Sequence, residues 1–401
     1  MDIPEYIERP VYIDRIMPYV RKDIMKILVG QRRVGKSYLL FQLMDRLSAL
    51  YPEDQQLYIN KELHEFVDIR HARDLLEYIA SRRDLDRRLA LFIDEVQDID
   101  QFETALRSLQ AGGGIDIFAT GSNARLLSGE LATYLSGRYV EIKVYGLTYG
   151  EFLTFHRLEQ GLDSLQTYLK FGGLPYLKHL PLDDSIVFDY LSNVSDAIIL
   201  KDIVARYDIR NVAFLQRLCR FLADNVGSLV TARKISTYLK SQQVKISHNL
   251  VIDYLSYLSS ALLVLPARRY DIAGKKIFEI GEKYYFEDLG IRHAMIGFNA
   301  SDINKIIENV IFTHLKTAGY DVTVGQIGKK ETDFVCEKQG ERLYIQAAYM
   351  IPDDKVRDRE FGNLLSIPDN HPKKVVTMDP VTGGTYKGIE HIHLKQFLLS
   401  L

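Results

Sequence analysis

Eight residues near the start of the chain, Gly30-Gln31-Arg32-Arg33-Val34-Gly35-Lys36-Ser37, fit the pattern G-x-x-x-x-G-K-[ST] without a mismatch. They stand between an apolar run, Ile27-Leu28-Val29, and a helical pattern that begins at Tyr38. Strand, glycine loop and helix in that order confine this part of the chain to a parallel α/β core whose loop amides face an anion. Gly30 and Gly35 admit backbone conformations that side chains resist, so successive N–H groups can turn inward. The positive end of the following helix adds to the field. Gln31, Arg32, Arg33 and Val34 then supply loop backbone, and Tyr38 completes the binding set. Lys36 reaches the β- and γ-phosphates, and the Ser37 hydroxyl holds Mg²⁺. A chance Gly/Lys loop is the competing explanation, and it leaves the flanks unexplained.

At 401 residues the chain is long enough for two to four domains. Its net charge of −2 gives no global signal for nucleic acid or membrane. Cys219 and Cys336 are its only cysteines, too few for a disulfide framework or a four-cysteine zinc site. They suit a reducing cytosol, and Cys219, in an apolar helical stretch, suits buried packing. The first residues lack the basic start and apolar run of a signal peptide, and no stretch is long and apolar enough to span a bilayer. A cytoplasmic location without membrane attachment is the expectation.

From Lys26 to about Val144 strand-like runs alternate with helical patterns. Strands are expected at Ile27–Val29, Leu57–Asn60, Leu89–Ile93, Ile115–Thr120 and Tyr139–Val144. Helices are expected at Ser37–Leu50, Ala72–Arg82, Phe102–Ala111 and Ala124–Leu135. The third strand is continuously apolar and ends in Asp94-Glu95, where ligands gather in open α/β sheets. Asp94 is the candidate for holding Mg²⁺ and Glu95 for polarising the attacking water; capping the next helix is the competing role. After the fourth strand, Ser122 and Asn123 are candidates to sense the γ-phosphate or to cap a helix. Arg138, at the start of the fifth strand, and Arg125 are candidates to stabilise transition-state charge, within one chain or between two. Plain solvation is the alternative for both arginines.

The separate glutamate after Asp94, and a strand between the loop strand and the Asp94 strand in sequence, mark the additional-strand catalytic-glutamate class of P-loop proteins. Together with these, GQRRVGKS, FIDEVQDI, ATGSNARLLSGE, LSGR and YGLTYGEF resemble a large family of bacterial and archaeal ATP-binding proteins. That family joins an AAA-superfamily ATPase core, similar to STAND-type and archaeal ATPases, to a C-terminal domain of unknown function. The resemblance covers nearly the whole chain and implies ATP as the nucleotide. It includes Gln97, whose expected role is hydrogen bonding to the sensor strand, and the break Gly172-Gly173-Leu174-Pro175.

Four regions follow: an ATPase core over 1–145, a helical lid over 146–210, a winged helix-turn-helix over 211–283, and a nuclease-like α/β domain over 284–401. The glycine break in the lid reads equally as a hinge or as a structural turn. The winged helix is expected from helices Val212–Asn225, Thr231–Ser241 and Ser247–Ser260, then strands Leu262–Pro266 and Lys276–Ile280, with Ser228 and Ser247 as caps. Arg233, Lys234, Lys240, Lys245, Arg268, Arg269, Lys275 and Lys276 face only Asp253 and Asp271 between Gly227 and Lys276. That excess suits phosphate-backbone contact, so DNA is a candidate partner, with a protein partner as the alternative. The apolar third helix argues against reading base sequence.

The last third, with helix Ile303–Ala318, a meander, a helix and further strands, resembles the PD-(D/E)xK restriction-endonuclease fold. Carried over, Glu308 and Asp333 match the first two acids, while Gln346 and Ala348 stand where the second-strand acid and lysine belong. Glu308, Asp333 and Gln346 are therefore a candidate second metal site with damaged chemistry, and Lys329 or Lys330 could replace the lysine. The expected function is Mg²⁺-dependent ATP hydrolysis that moves the later modules. A nucleotide-gated switch with negligible turnover and an ATP-licensed nuclease are the alternatives.

Overall fold

The computed structural model describes residues 3–123, 137–241, 247–380 and 382–401. The expected helix over 124–135, Arg125 and Lys245 lie outside them. The chain divides into two compact units, Met1–Tyr145 with Ser260–Leu262, and Gly146–Ser259 with Leu263–Leu401.

The first unit is built on five parallel strands: β1 Met25–Gly30, β2 Gln55–Asn60, β3 Leu89–Asp94, β4 Ile115–Gly121 and β5 Tyr139–Val144. Their order is β2-β3-β4-β1-β5. The three central strands are buried along their whole length, while β2 and β5 at the edges are partly open. Continuous apolar runs belong in strands covered on both faces, which explains why the sequence marks β1, β3 and β4 most clearly. Helices α1 Pro10–Ile16, α2 Lys36–Leu50, α3 Ala72–Ala80 and α4 Phe102–Gly112 complete the described part of this unit. The strand separating β1 from β3 in space is β4, not the β2 that separates them in sequence. Because all five strands run the same way, the ends of β1, β3 and β4 gather at one edge, with their loops above them.

The second unit holds eight strands in the order β12-β13-β11-β10-β9-β8-β6-β7. They are β6 Val264–Asp271, β7 Lys276–Phe286, β8 Asp321–Ile327, β9 Lys330–Lys338, β10 Glu341–Ala347, β11 Lys373–Thr377, β12 Thr385–Tyr386 and β13 Ile389–His393. Helices Val212–Asp224, Ala232–Ser241 and His248–Ser260 lie where a helix-turn-helix is expected, followed by the antiparallel pair β6–β7. Thr231 Oγ1 accepts from Lys234 N at 3.1 Å and Ser247 Oγ from Leu250 N at 3.2 Å, so Thr231, rather than Ser228, caps the second helix. The expected boundary at 283/284 falls inside β7. β6 also pairs in parallel with β8, so the hairpin is the rim of the larger sheet. Sequence alone gave no sign of this, because the partners are more than fifty residues apart. Ile272, Val335, Tyr344, Phe361, Leu364, Ile367, Val375 and Ile389 form one apolar cluster against this sheet.

The glycine break proves to be a packed turn. Gly172 has φ +77°, and the Asp288 carboxylate accepts from Gly173 N at 2.7 Å and from Ile291 N, at the start of helix Leu289–Ile296, at 2.9 Å. A Cβ on Gly172 would overlap the Asp288 carboxylate. That geometry fits a structural turn better than a hinge.

His314, on helix Ile303–Thr317, is buried with both ring nitrogens engaged. Nδ1 donates to Val310 O at 2.9 Å, and Nε2 accepts from Tyr149 N at 2.9 Å, which fixes the neutral tautomer. Burial pushes its pKa down from 6.5 to about 4. The unfolded chain takes up this proton first, so the stability carried by neutral His314 is full above pH 6.5 and is lost as pH falls toward 4. The expected loss is roughly 3 kcal/mol. Chemical unfolding at stepped pH should show it, with a shallower slope in His314→Gln; equal slopes would remove His314 from the account.

Candidate functional site

The phosphate loop joins β1 to α2. Its backbone takes left-handed conformations at Arg33 (φ +73°) and Gly35 (φ +93°), which turns the amides inward. A Cβ on Gly30 would overlap the Val144 carbonyl oxygen and lie 2.9 Å from Val34 Cγ2. Lys36 is buried, and its Nζ donates to Gly30 O at 3.0 Å and Gln31 O at 3.1 Å. The same nitrogen lies 3.5 Å from Glu95 Oε1. Arg32 stands 3.4 Å from Glu62 across the surface. Tyr38 is 43% exposed on the first turn of α2, its ring edge-on to Phe41.

Asp94 ends β3, buried. Its carboxylate accepts from Thr120 Oγ1 and from Tyr58 OH at 3.2 Å, and Ser37 donates to it as well. Burial pushes its pKa up, against the pull of the Ser37 and Thr120 hydrogen bonds. Glu95 turns out of the strand in a left-handed conformation, φ +55°. Its N–H donates to Thr120 Oγ1 at 2.9 Å, and its carboxylate accepts from Gln97 Nε2. Burial acts to raise the Glu95 pKa, but the Lys36 ammonium and then Gln97 outweigh it and hold the carboxyl below its ordinary value. Gln97 Nε2 also lies 3.4 Å from Ser122 Oγ, a link to the end of β4. Ser122 and Asn123 are both buried there.

Lys36, Ser37, Asp94 and Glu95 are thus brought together. Arg138 is not. It is exposed at the start of β5, where its carbonyl accepts from Met25 N. The β1–β5 register pairs Met25 with Tyr139 and Gly30 with Val144, so Arg138 sits about 20 Å of strand away from the loop. Arginine side chains do not cover that length, so a role within the same site does not fit this placement.

The acids of the second sheet form another cluster. Lys283, on β7 and only 3% exposed, places Nζ 2.8 Å from Glu308, 2.9 Å from Glu331 and 3.7 Å from Asp333. Tyr285 OH donates to Glu308 at 2.5 Å, and Ala347 N to Asp333 at 2.9 Å. Burial and then the Glu308 charge push the Asp333 pKa up. Burial opposes the charge on Lys283, but Glu308, Asp333 and Glu331 together raise its pKa. One step beyond the Ile345–Phe334 pair, Gln346 stands opposite Asp333 and shares its face. Gln346 is buried, and its Oε1 has no hydrogen-bond partner among the described residues.

Residues 22–153 match a family described as AAA domain, and residues 162–302 match a domain of unknown function, DUF8612. An uncharacterized protein of Haemophilus influenzae is 37% identical over 399 residues, 98% of each chain. The chain belongs to the family of that protein. An uncharacterized protein of Methanocaldococcus jannaschii shares 29% identity over 351 residues, 84% of this chain and 77% of its own. Among solved structures, Aeropyrum pernix ORC1 in complex with DNA overlaps 73% of this chain and 93% of its own, at 11% identity and a TM-score of 0.34. AMPPCP-bound DnaA of Aquifex aeolicus overlaps 63% and 89%, at 13% identity and a TM-score of 0.32. Both likenesses are remote. Among the described residues no helix is long and apolar enough to cross a membrane.

Three residues of the first unit escape sequence reasoning. Thr120 bridges the Asp94 carboxylate and the Glu95 amide, and Tyr58 closes the other side of Asp94. The register Ile93↔Ala119 puts Thr120 beside Asp94, so aligning β3 with β4 would have found it. Arg9 is buried, and its Nη1 donates to Val34 O at 3.0 Å and Tyr145 O at 3.1 Å, bracing the loop from behind. No motif announces that contact. In the second unit, Lys283 was hidden because the second hairpin strand was expected to stop at Ile280.

Proposed function

We propose that the chain is an ATP hydrolase whose nucleotide state acts on the second unit, with duplex DNA as the partner of its helix-turn-helix segment. The convergence of Lys36, Ser37, Asp94 and Glu95 at one edge of the parallel sheet carries this reading. Loop amides and Lys36 bind the triphosphate, Lys36 exchanging the Gly30 and Gln31 carbonyls for phosphate oxygens. The donor set suits Mg²⁺, since Ser37 and Asp94 already meet as hard oxygen ligands. Magnesium would neutralise charge developing on the β- and γ-phosphates. Glu95, kept ionised by Lys36 and Gln97, orients the attacking water and takes its proton. Asn123 and Ser122, buried at the end of β4, would sense the γ-phosphate. Arg138, too far along β5 to reach its own loop, is assigned to the site of a neighbouring chain.

The coupling is part of the proposal: residues 260–262 group with the first unit and the chain on either side of them with the second. The isolated bridge Val230↔Glu282 ties the segment before helix 232–241 to β7, which is compatible with a winged helix. Arg233, Lys234, Arg268, Lys275 and Lys276 are exposed, whereas helix 248–260 exposes His248, Asn249, Ile252 and Asp253. Basic flanks and a nearly uncharged helix favour phosphate contact over base reading.

The test is Mg-ATP turnover of the purified chain with and without duplex DNA, and DNA affinity with and without ATP. Turnover with a DNA-dependent rate is expected. DNA affinity should fall steeply with salt and little with sequence. No binding of ATP by calorimetry would end the nucleotide reading, and DNA affinity indifferent to ATP would end the coupling.

A further inference from the structure

The nuclease-like sheet implies a divalent metal, and its residues do not fit one. Such an ion needs several oxygens converging at about 2.0–2.6 Å, with nothing else at the centre. The centre here is a side chain. Lys283 Nζ, almost fully buried, spends its N–H groups on Glu308 at 2.8 Å and Glu331 at 2.9 Å, with Asp333 at 3.7 Å. Those are ammonium distances. A divalent ion at the same acids would sit against a fixed positive charge in a site of low dielectric. The second-strand position that should add a carboxylate carries neutral Gln346, opposite Asp333, and the lysine position carries Ala348. Glu308 and Asp333 have other occupations too, accepting from Tyr285 OH and Ala347 N. Among the described residues no group of three His, Cys, Asp or Glu side chains is placed to hold a metal ion.

We propose that Lys283 is a built-in cation standing where a nuclease would hold its metal, so that the acids of this sheet bind an ammonium of the chain itself and the module does not cut. The same lysine belongs to β7, so the acids also fasten the hairpin rim to helix 303–317 and β9. This does not rest on the ATPase reading, since the two sites share no residue.

The test is Mn²⁺ titration of the full chain without nucleotide, with free ion followed by electron paramagnetic resonance. Wild type and Asp333→Asn should bind equal numbers of ions, which cancels any contribution from Ser37 and Asp94. Lys283→Met, checked for folding by circular dichroism, should gain one Mn²⁺ per chain, and Lys283→Met with Asp333→Asn should lose it again. A wild-type ion that Asp333→Asn removes would overturn the proposal and make Lys283 a nuclease lysine beside a real metal. A folded Lys283→Met that gains no ion would also overturn it. Should Lys283→Met not fold, the comparison of wild type with Asp333→Asn decides alone.

Discussion

Glu95→Gln should lower ATP turnover by roughly 10²–10⁴-fold while leaving nucleotide binding close to that of the wild type. The amide keeps the shape of the carboxylate, so it can still face Gln97, but it cannot take a proton from water. Its neighbours report the same role: Lys36 at 3.5 Å and Gln97 hold Glu95 ionised at a buried position. Lys36→Ala should act differently. Removing a charged donor should weaken nucleotide binding by roughly 10–100-fold, and turnover should fall further because Glu95 loses the cation that depresses its pKa. Calorimetry with non-hydrolysable ATP separates the two: affinity is kept in one variant and lost in the other. Equal turnover in wild type and both variants would reject the site.

Gly290→Ala should be among the most damaging single-methyl changes in the second unit. Gly290 opens helix Leu289–Ile296 beside the Gly172–Gly173 turn. Its added Cβ would overlap the Phe171 carbonyl oxygen, reach within 2.7 Å of the carbonyl carbon, and meet Leu191 Cδ1 at 2.8 Å. Two of those three atoms are backbone and cannot rotate away. Nor can the turn retreat easily, since Asp288 holds Gly173 N and Ile291 N together. Overpacking of this kind costs roughly 3 kcal/mol, enough to lower a melting temperature by about 10 °C. Gly362→Ala is the internal control: it lies in helix Asp354–Leu365 with open space at its Cβ, and should be neutral or gain about 0.5–1 kcal/mol. If the two variants melt alike, the close approach at Gly290 is not real.

Legibility followed the range of the interactions. The loop, Asp94 and Glu95 could be read directly because each follows an apolar strand by one or two residues, and the local period names the strand. Continuous burial of β1, β3 and β4 made those strands nearly unmistakable, and the bounds observed differ from those expected by at most a few residues. Thr120 required the register of two strands, which a single sequence does not carry. Lys283 required more: a strand six residues longer than expected, plus acids from Glu308, Glu331 and Asp333. Arg138 was attractive because Gly137 precedes it, but parallel pairing sends the start of β5 to the opposite edge from the end of β1. Composition was equally silent on β6 joining both a hairpin and a larger sheet.

That shared strand limits how this half of the chain can be divided. β6 gives one side to β7 and, over Arg269–Asp271, the other to β8. A fragment severed after Phe286 would leave part of one β6 flank as bare amides and carbonyls, a template for unwanted association. The reciprocal fragment would start without the strand that finishes its sheet. Evolution could therefore trade loops around this seam far more readily than it could trade either side of it.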